Sequence, residues 1–184
     1  MKSFRKIIIS FMFGLIFTVG LGFFIVTKAQ STNTISDSQI KLIKTNCVST
    51  KDTLNRIHAS DALLRVNMGQ IYESISTKLM DGFNGRVVGN NLNGINLISI
   101  SSEYGQTLDK FRADYINYEE KMSTAMSIDC NKQPVSFYDA IASARTHRKR
   151  VGSDVKELNQ LIKEYKQAVD KIEKDFHVLN SEAK

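Results

Sequence analysis

Apolar positions fall into four blocks along the chain, one continuous and three periodic. The continuous block runs from Ile7 to Val26 and follows the cations Lys2, Arg5 and Lys6. A bilayer span needs about 20 apolar residues, whereas the core of a signal peptide runs roughly 7 to 15. This block therefore reads as an uncleaved transmembrane signal anchor. Only Lys28 follows it closely, so the positive-inside bias orients the N-terminus to the cytoplasm and the bulk of the chain outside. The expected organisation is a cytoplasmic stub at 1–6, a single-pass span at 7–26, a linker at 27–36, an extracytoplasmic helical bundle at 37–180 and a tail at 181–184. A competing reading is cleavage after Ala29, since Thr27 and Ala29 place small residues where a signal peptidase needs them.

The second block has heptad spacing. Ile40, Cys47, Leu54, Met68 and Ile75 recur at multiples of seven, with Ile43, Ile57, Leu64 and Ile71 at the alternate position of a coiled-coil-like seam. One long helix is expected, capped at Ser36 or Asp37 and ending near Met80, where Asp81-Gly82-Phe83-Asn84-Gly85 supplies helix breakers. The residues from there to Asn96 read as a glycine-rich loop at the tip of the bundle. Phe83, Arg86, Val87, Val88 and Leu92 are its contact candidates. The third block, from about Leu97 to Ser127, carries Leu97, Tyr104, Leu108, Phe111, Tyr115, Tyr118 and Met122 on one face, and this aromatic stripe reads as core packing. Pro134 suits the first turn of a third helix, whose seam includes Val151, Val155, Leu158, Ile162, Tyr165, Val169, Ile172 and Phe176. Phe176 and Leu179 are expected to reach Val87, Val88 or Leu92. Three long amphipathic helices joined by short connections give an all-α fold, an antiparallel up-down-up three-helix bundle behind the transmembrane helix.

The two cysteines test that arrangement. Cys47 lies early in the first helix and Cys130 in the turn between the second and third, so both fall at one end of the bundle. Outside the cytoplasm an even pair reads as a disulfide clamp. Counted from that level, Asp61 and Arg148 each lie 14 residues along parallel helices, about 21 Å from the clamp at the α-helical rise. Each interrupts an apolar seam. They are expected to form a buried, register-fixing ion pair, with Tyr115 as a hydrogen-bond donor to Asp61 and Asp114 as a rival partner for Arg148.

Charge changes the picture less than its total suggests. The chain carries +6, but Lys2, Arg5, Lys6 and Lys28 belong to the anchor and its flanks, and without these four the remainder is +2. Nucleic acid is therefore not an expected partner. Arg145, Lys149 and Arg150 form the densest cationic patch. They suit a contact with anionic envelope polymers or headgroups, or simply a solvated helix face. His58, His147 and His177 lack metal-ligand spacing, no G-K-[ST] follows the glycines of the loop, and no G-x-S-x-G elbow accompanies the serines. No metal, cofactor or catalytic group is expected, and the chain does not read as an enzyme.

The N-terminal anchor, Cys47, Asp61-x-x-x-Arg65, Tyr72, Asp129-Cys130, Pro134, Phe137, Tyr138 and Arg148 together resemble uncharacterised single-pass helical proteins of candidate-phyla, Saccharibacteria-like bacteria. That resemblance rests on dispersed positions over most of the ectodomain. It implies a surface location and a helical fold, and carries no activity. The expected function is that of a membrane-anchored cell-surface protein presenting a helical bundle for contacts with a protein partner or with itself. The alternatives are an extracytoplasmic sensor or module binding a small ligand or envelope polymer, and a released helical spacer or holdase. An internal pocket points to a ligand module, an exposed apolar tip to an interaction protein.

Overall fold

The computed structural model describes residues 35–182, with side-chain surroundings up to 177. The expected span at Ile7–Val26 and most of the linker lie outside these residues. No helix among those described is long and apolar enough to cross a membrane. The described chain is all-helical: α1 (Asp37–Thr45), α2 (Cys47–Ser74), a π-helical stretch (Ile75–Met80), α3 (Asp81–Gly89), α4 (Ile95–Ser127) and α5 (Pro134–Glu182).

Ser36 opens α1 through a capping box, accepting from the Gln39 amide while the Gln39 side chain accepts from the Ser36 amide at 2.9 Å. At Asn46 the backbone leaves helical geometry for one residue, separating α1 from α2. The helix does not end at Met80. It runs on through the π-helical stretch into α3, so the segment expected as a contact loop is mostly helical. Packing outweighs the glycines there. Helix-interior glycines cost about 1 kcal/mol each, but Met80, Asn84 and Val87 are buried along one face. The Asn84 amide donates to Ser101 Oγ at 2.9 Å, and its carbonyl accepts from Tyr165 Oη at 2.7 Å.

The first rod thus comprises α1, α2, the π-helical stretch and α3. Cys47 against Cys130, Asp61 against Tyr118 and Asn84 against Ser101 show that it runs opposite to α4. Pairs such as Lys110 with Asp154 show α4 opposite to α5. Asp61 with Arg148 and Asn84 with Tyr165 then set the first rod parallel to α5, giving the up-down-up order.

Two turns make the reversals. Asn90–Gly94 closes as a Schellman motif, with the Leu92 amide donating to Val87 O and the Asn91 amide to Val88 O, both at 3.0 Å. Asn91, at φ 56°, is the left-handed residue. A Cβ on Gly94 would stand 2.9 Å from Val87 Cγ1, so this close approach requires glycine. At the other end Asp129 Oδ1 accepts from the amides of Asn131 and Lys132, at 3.0 and 3.2 Å, before Pro134 begins α5. The disulfide Cys47–Cys130 closes this end with a Cα–Cα distance of 5.6 Å.

The core has two sections. Near the disulfide, Leu54, Tyr118, Met122 and Phe137 pack around the two cysteines. Beyond them Tyr72, Leu97, Tyr104, Phe111, Leu158 and Leu161 fill the middle and far end.

Candidate functional site

The three rods do not close fully on one another. Between α2 and α5 a groove of about 420 Å³ remains, floored by α4. From α2 come Leu64, Arg65 and Met68, with Asp61 and Tyr72 at the two ends. The ring of Phe111 lies on the floor in an edge-on contact with Tyr72, their centroids 5.8 Å apart. Val151, Gly152, Val155 and Asn159 form the α5 wall. Gly152 widens it, because a Cβ there would meet nothing within 4 Å.

The Asp61–Arg148 pair closes the end of the groove nearer the disulfide. Arg148 donates through Nε at 2.6 Å and Nη2 at 2.8 Å, a two-pronged contact with both carboxylate oxygens. The third donor to Asp61 is Tyr118 Oη at 2.7 Å, not Tyr115, whose hydroxyl instead donates to Glu119 at 2.7 Å. Glu119 also holds His58 Nε2 at 2.6 Å. Asp114 is not the partner of Arg148 but a neighbour of Asp154. Burial alone pushes the Asp61 carboxyl up, but Arg148 and Tyr118 together outweigh it and hold it below its ordinary value. The pair is only half buried, with Asp61 12 % and Arg148 54 % exposed. The reason is phase: Arg148 continues the Val155–Ile162–Val169 stripe, which borders the first rod and is itself only partly buried.

Arg65 faces the same groove. Its guanidinium carbon stands 5.1 Å from the centroid of Tyr115, a cation–π contact, and no carboxylate among the described residues lies within ion-pairing distance of it. At the opposite end the Tyr72 hydroxyl is buried without a hydrogen-bond partner. Burial pushes its pKa up; the Asn159 side chain stands near enough to oppose that shift.

A second constellation was not expected from the sequence. Asp154 of α5 is fully buried and accepts from Lys110 Nζ at 2.6 Å through Oδ1, while Oδ2 has no partner. Burial raises its pKa, Lys110 opposes that, and the adjacent Asp114 carboxyl adds to it. The available signal is spacing. Ala144, Val151, Asp154, Leu158, Leu161, Tyr165 and Ala168 follow a three-four repeat, in which Asp154 is the polar member.

The remaining expected residues scatter. Of the contact candidates, Val87 is buried in the core, Phe83 and Leu92 are half-buried against it, and Arg86 and Val88 are exposed. Phe83, Val87 and Leu92 share a shallow recess with Ile172 and Phe176, whereas the side chain of Leu179 lies outside those described. Val88 near the end of α3 and Ile95 and Ile98 in the first turn of α4 flank the Asn90–Gly94 reversal. All three are exposed, Ile95 by 76 %. Arg145, Lys149 and Arg150 are exposed and make no ion pair among the described residues, but Arg150 lies about 100° around the helix from Lys149. The patch reduces to Arg145 and Lys149. No cluster of metal-ligating side chains occurs among the described residues.

No protein-family model, curated protein or solved structure matches this chain.

Proposed function

We propose that the chain is an extracytoplasmic interaction protein, held in the membrane by Ile7–Val26, that meets a protein partner through the apolar tip of its bundle. The observation that carries this reading is the exposure of Val88, Ile95 and Ile98, three large aliphatic side chains flanking the α3–α4 reversal. Exposed apolar groups at the tip of the bundle suit burial against another protein. The length of the apolar N-terminal segment supports the anchor, and the Cys47–Cys130 bond supports an oxidising compartment.

The test is photo-crosslinking in native membranes from a benzophenone amino acid placed at Ile95, with a C-terminal tag for recovery and an intact mass from the same sample. One discrete adduct, lost when Val88→Glu and Ile98→Glu are added, is the expected result. Recovery of the chain alone would remove the partner from the reading. A mass beginning at Gln30 would remove the anchor.

A further inference from the structure

The groove between α2 and α5 has a different character from the tip, and its chemistry defines an occupant independently of any protein partner. Its walls are apolar: Leu64, Met68, Phe111, Val151 and Val155. Its charges do not cancel. Asp61 neutralises Arg148, and Arg65 is left over, giving a net positive groove wall. Arg148 uses Nε and Nη2 on Asp61 and keeps Nη1 for another acceptor. About 10 Å further along, seven residues at the helical rise, Asn159 brings a polar side chain to the far end of the groove, beside the enclosed Tyr72.

We propose that this groove binds a small organic monoanion with a flat or compact apolar body, its anionic group against Arg65 and the free edge of Arg148, and a hydrogen-bonding group at its far end against Asn159. Size separates this occupant from a partner helix. A volume of 420 Å³ lies within the range of small-molecule sites, whereas a helix laid from Asp61 to Tyr72 displaces roughly 1,300 Å³ at a diameter near 10 Å. The missing side chain at Gly152 is part of the site, since it leaves open the space that a larger residue would fill.

The probe is 6-hydroxy-2-naphthoate, which places a carboxylate and a hydroxyl at opposite ends of a flat apolar ring system. Equilibrium dialysis uses the full-length chain in zwitterionic nanodiscs, with empty discs as the blank and the methyl ester as the uncharged control. Saturable binding is expected. The ester should bind at least tenfold more weakly, as loss of a charge-assisted contact implies, and Arg65→Glu should weaken the acid by a similar factor. Gly152→Leu should abolish binding while leaving the thermal midpoint unchanged or higher, because leucine is the better helix former at that exposed position. The assignment is overturned by an absence of saturable binding, by equal binding of acid and ester, or by a Gly152→Leu variant that binds like the parent. Loss of binding in step with dimerisation would give the groove to a second copy of the chain and overturn it equally.

Discussion

Asp61, half-buried, and Asp154, fully buried, meet opposite fates. Burial raises the pKa of both, but Asp61 has three donors on its two oxygens, whereas Asp154 has one lysine and a neighbouring carboxyl. Asp61, lowered, contributes stability above its unfolded pKa and loses it as pH falls through the depressed folded value. Asp154, raised, behaves in reverse. Its folded state binds the proton more tightly than the unfolded chain, so its cost is absent at low pH and grows as pH rises through the elevated folded value. Asp154→Asn should therefore gain on the parent in urea melts as pH is raised from 4 to 7, and Lys110→Met should lose more at pH 7 than at pH 5. Curves that stay parallel across this range would mean that Asp154 has an ordinary pKa. For the other pair, Asp61→Ala and Arg148→Ala should each cost about 2 kcal/mol, with a coupling near 1 kcal/mol because the guanidinium is half in water. Simple additivity in the double-mutant cycle would count against the pair. Its meeting was legible in the sequence, since Asp61 stands 14 positions beyond Cys47 and Arg148 stands 14 beyond Pro134, at the start of the parallel helix. The tyrosine was not: Tyr115 and Tyr118 both face inward, and their difference of about 4.5 Å along α4 is finer than counting helical rise from a turn resolves.

At the scale of elements, periodicity located every long helix but misjudged where two patterns changed phase. In the first rod the π-helical stretch inserts one extra residue, so the inward position moves from Leu79, 61 % exposed, to Met80, 1 % exposed. No propensity marks such an insertion. Its effect is to bring Asn84 and Val87 onto the inner face, which keeps the helix going past glycines that read as a stop. On α5 the expected seam mixed two stripes, because this helix packs against two neighbours over a wide arc. Leu158, Leu161 and Ala168 are buried, while Val155, Ile162 and Val169 form the half-buried border. The rod does end where Asn91 takes a left-handed conformation, and here local chemistry decides stability. Asn91→Gly should stabilise the bundle by roughly 0.5 kcal/mol, and Asn91→Ala should destabilise it by about 1 kcal/mol, the cost of a Cβ in that region. Equal denaturation midpoints for the two variants would show that the reversal tolerates a different backbone.

For the molecule as a whole, the disulfide and the packing occupy different places, and so should their contributions to stability. The α4–α5 pair is packed along its length, with Tyr104, Leu108, Phe111, Leu158 and Leu161 between the helices and their neighbour. By contrast, α1 buries no residue and most of α2 contributes few, Cys47, Leu54 and Tyr72 being those fully enclosed. The start of the first rod is therefore held chiefly by a covalent bond closing 83 residues of chain. A loop of that length implies about 4.5 kcal/mol in the chain-entropy account. Replacing both cysteines by alanine should lower unfolding free energy by an amount of that order. The loss should also be uneven. Hydrogen exchange should show α1 and the first turns of α2 opening at much lower free energy than before, while amides in the facing halves of α4 and α5 remain the slowest in the chain. Uniform acceleration in all three rods would mean that the bundle is one cooperative unit, with the disulfide acting on it as a whole and not as the fastening of one end.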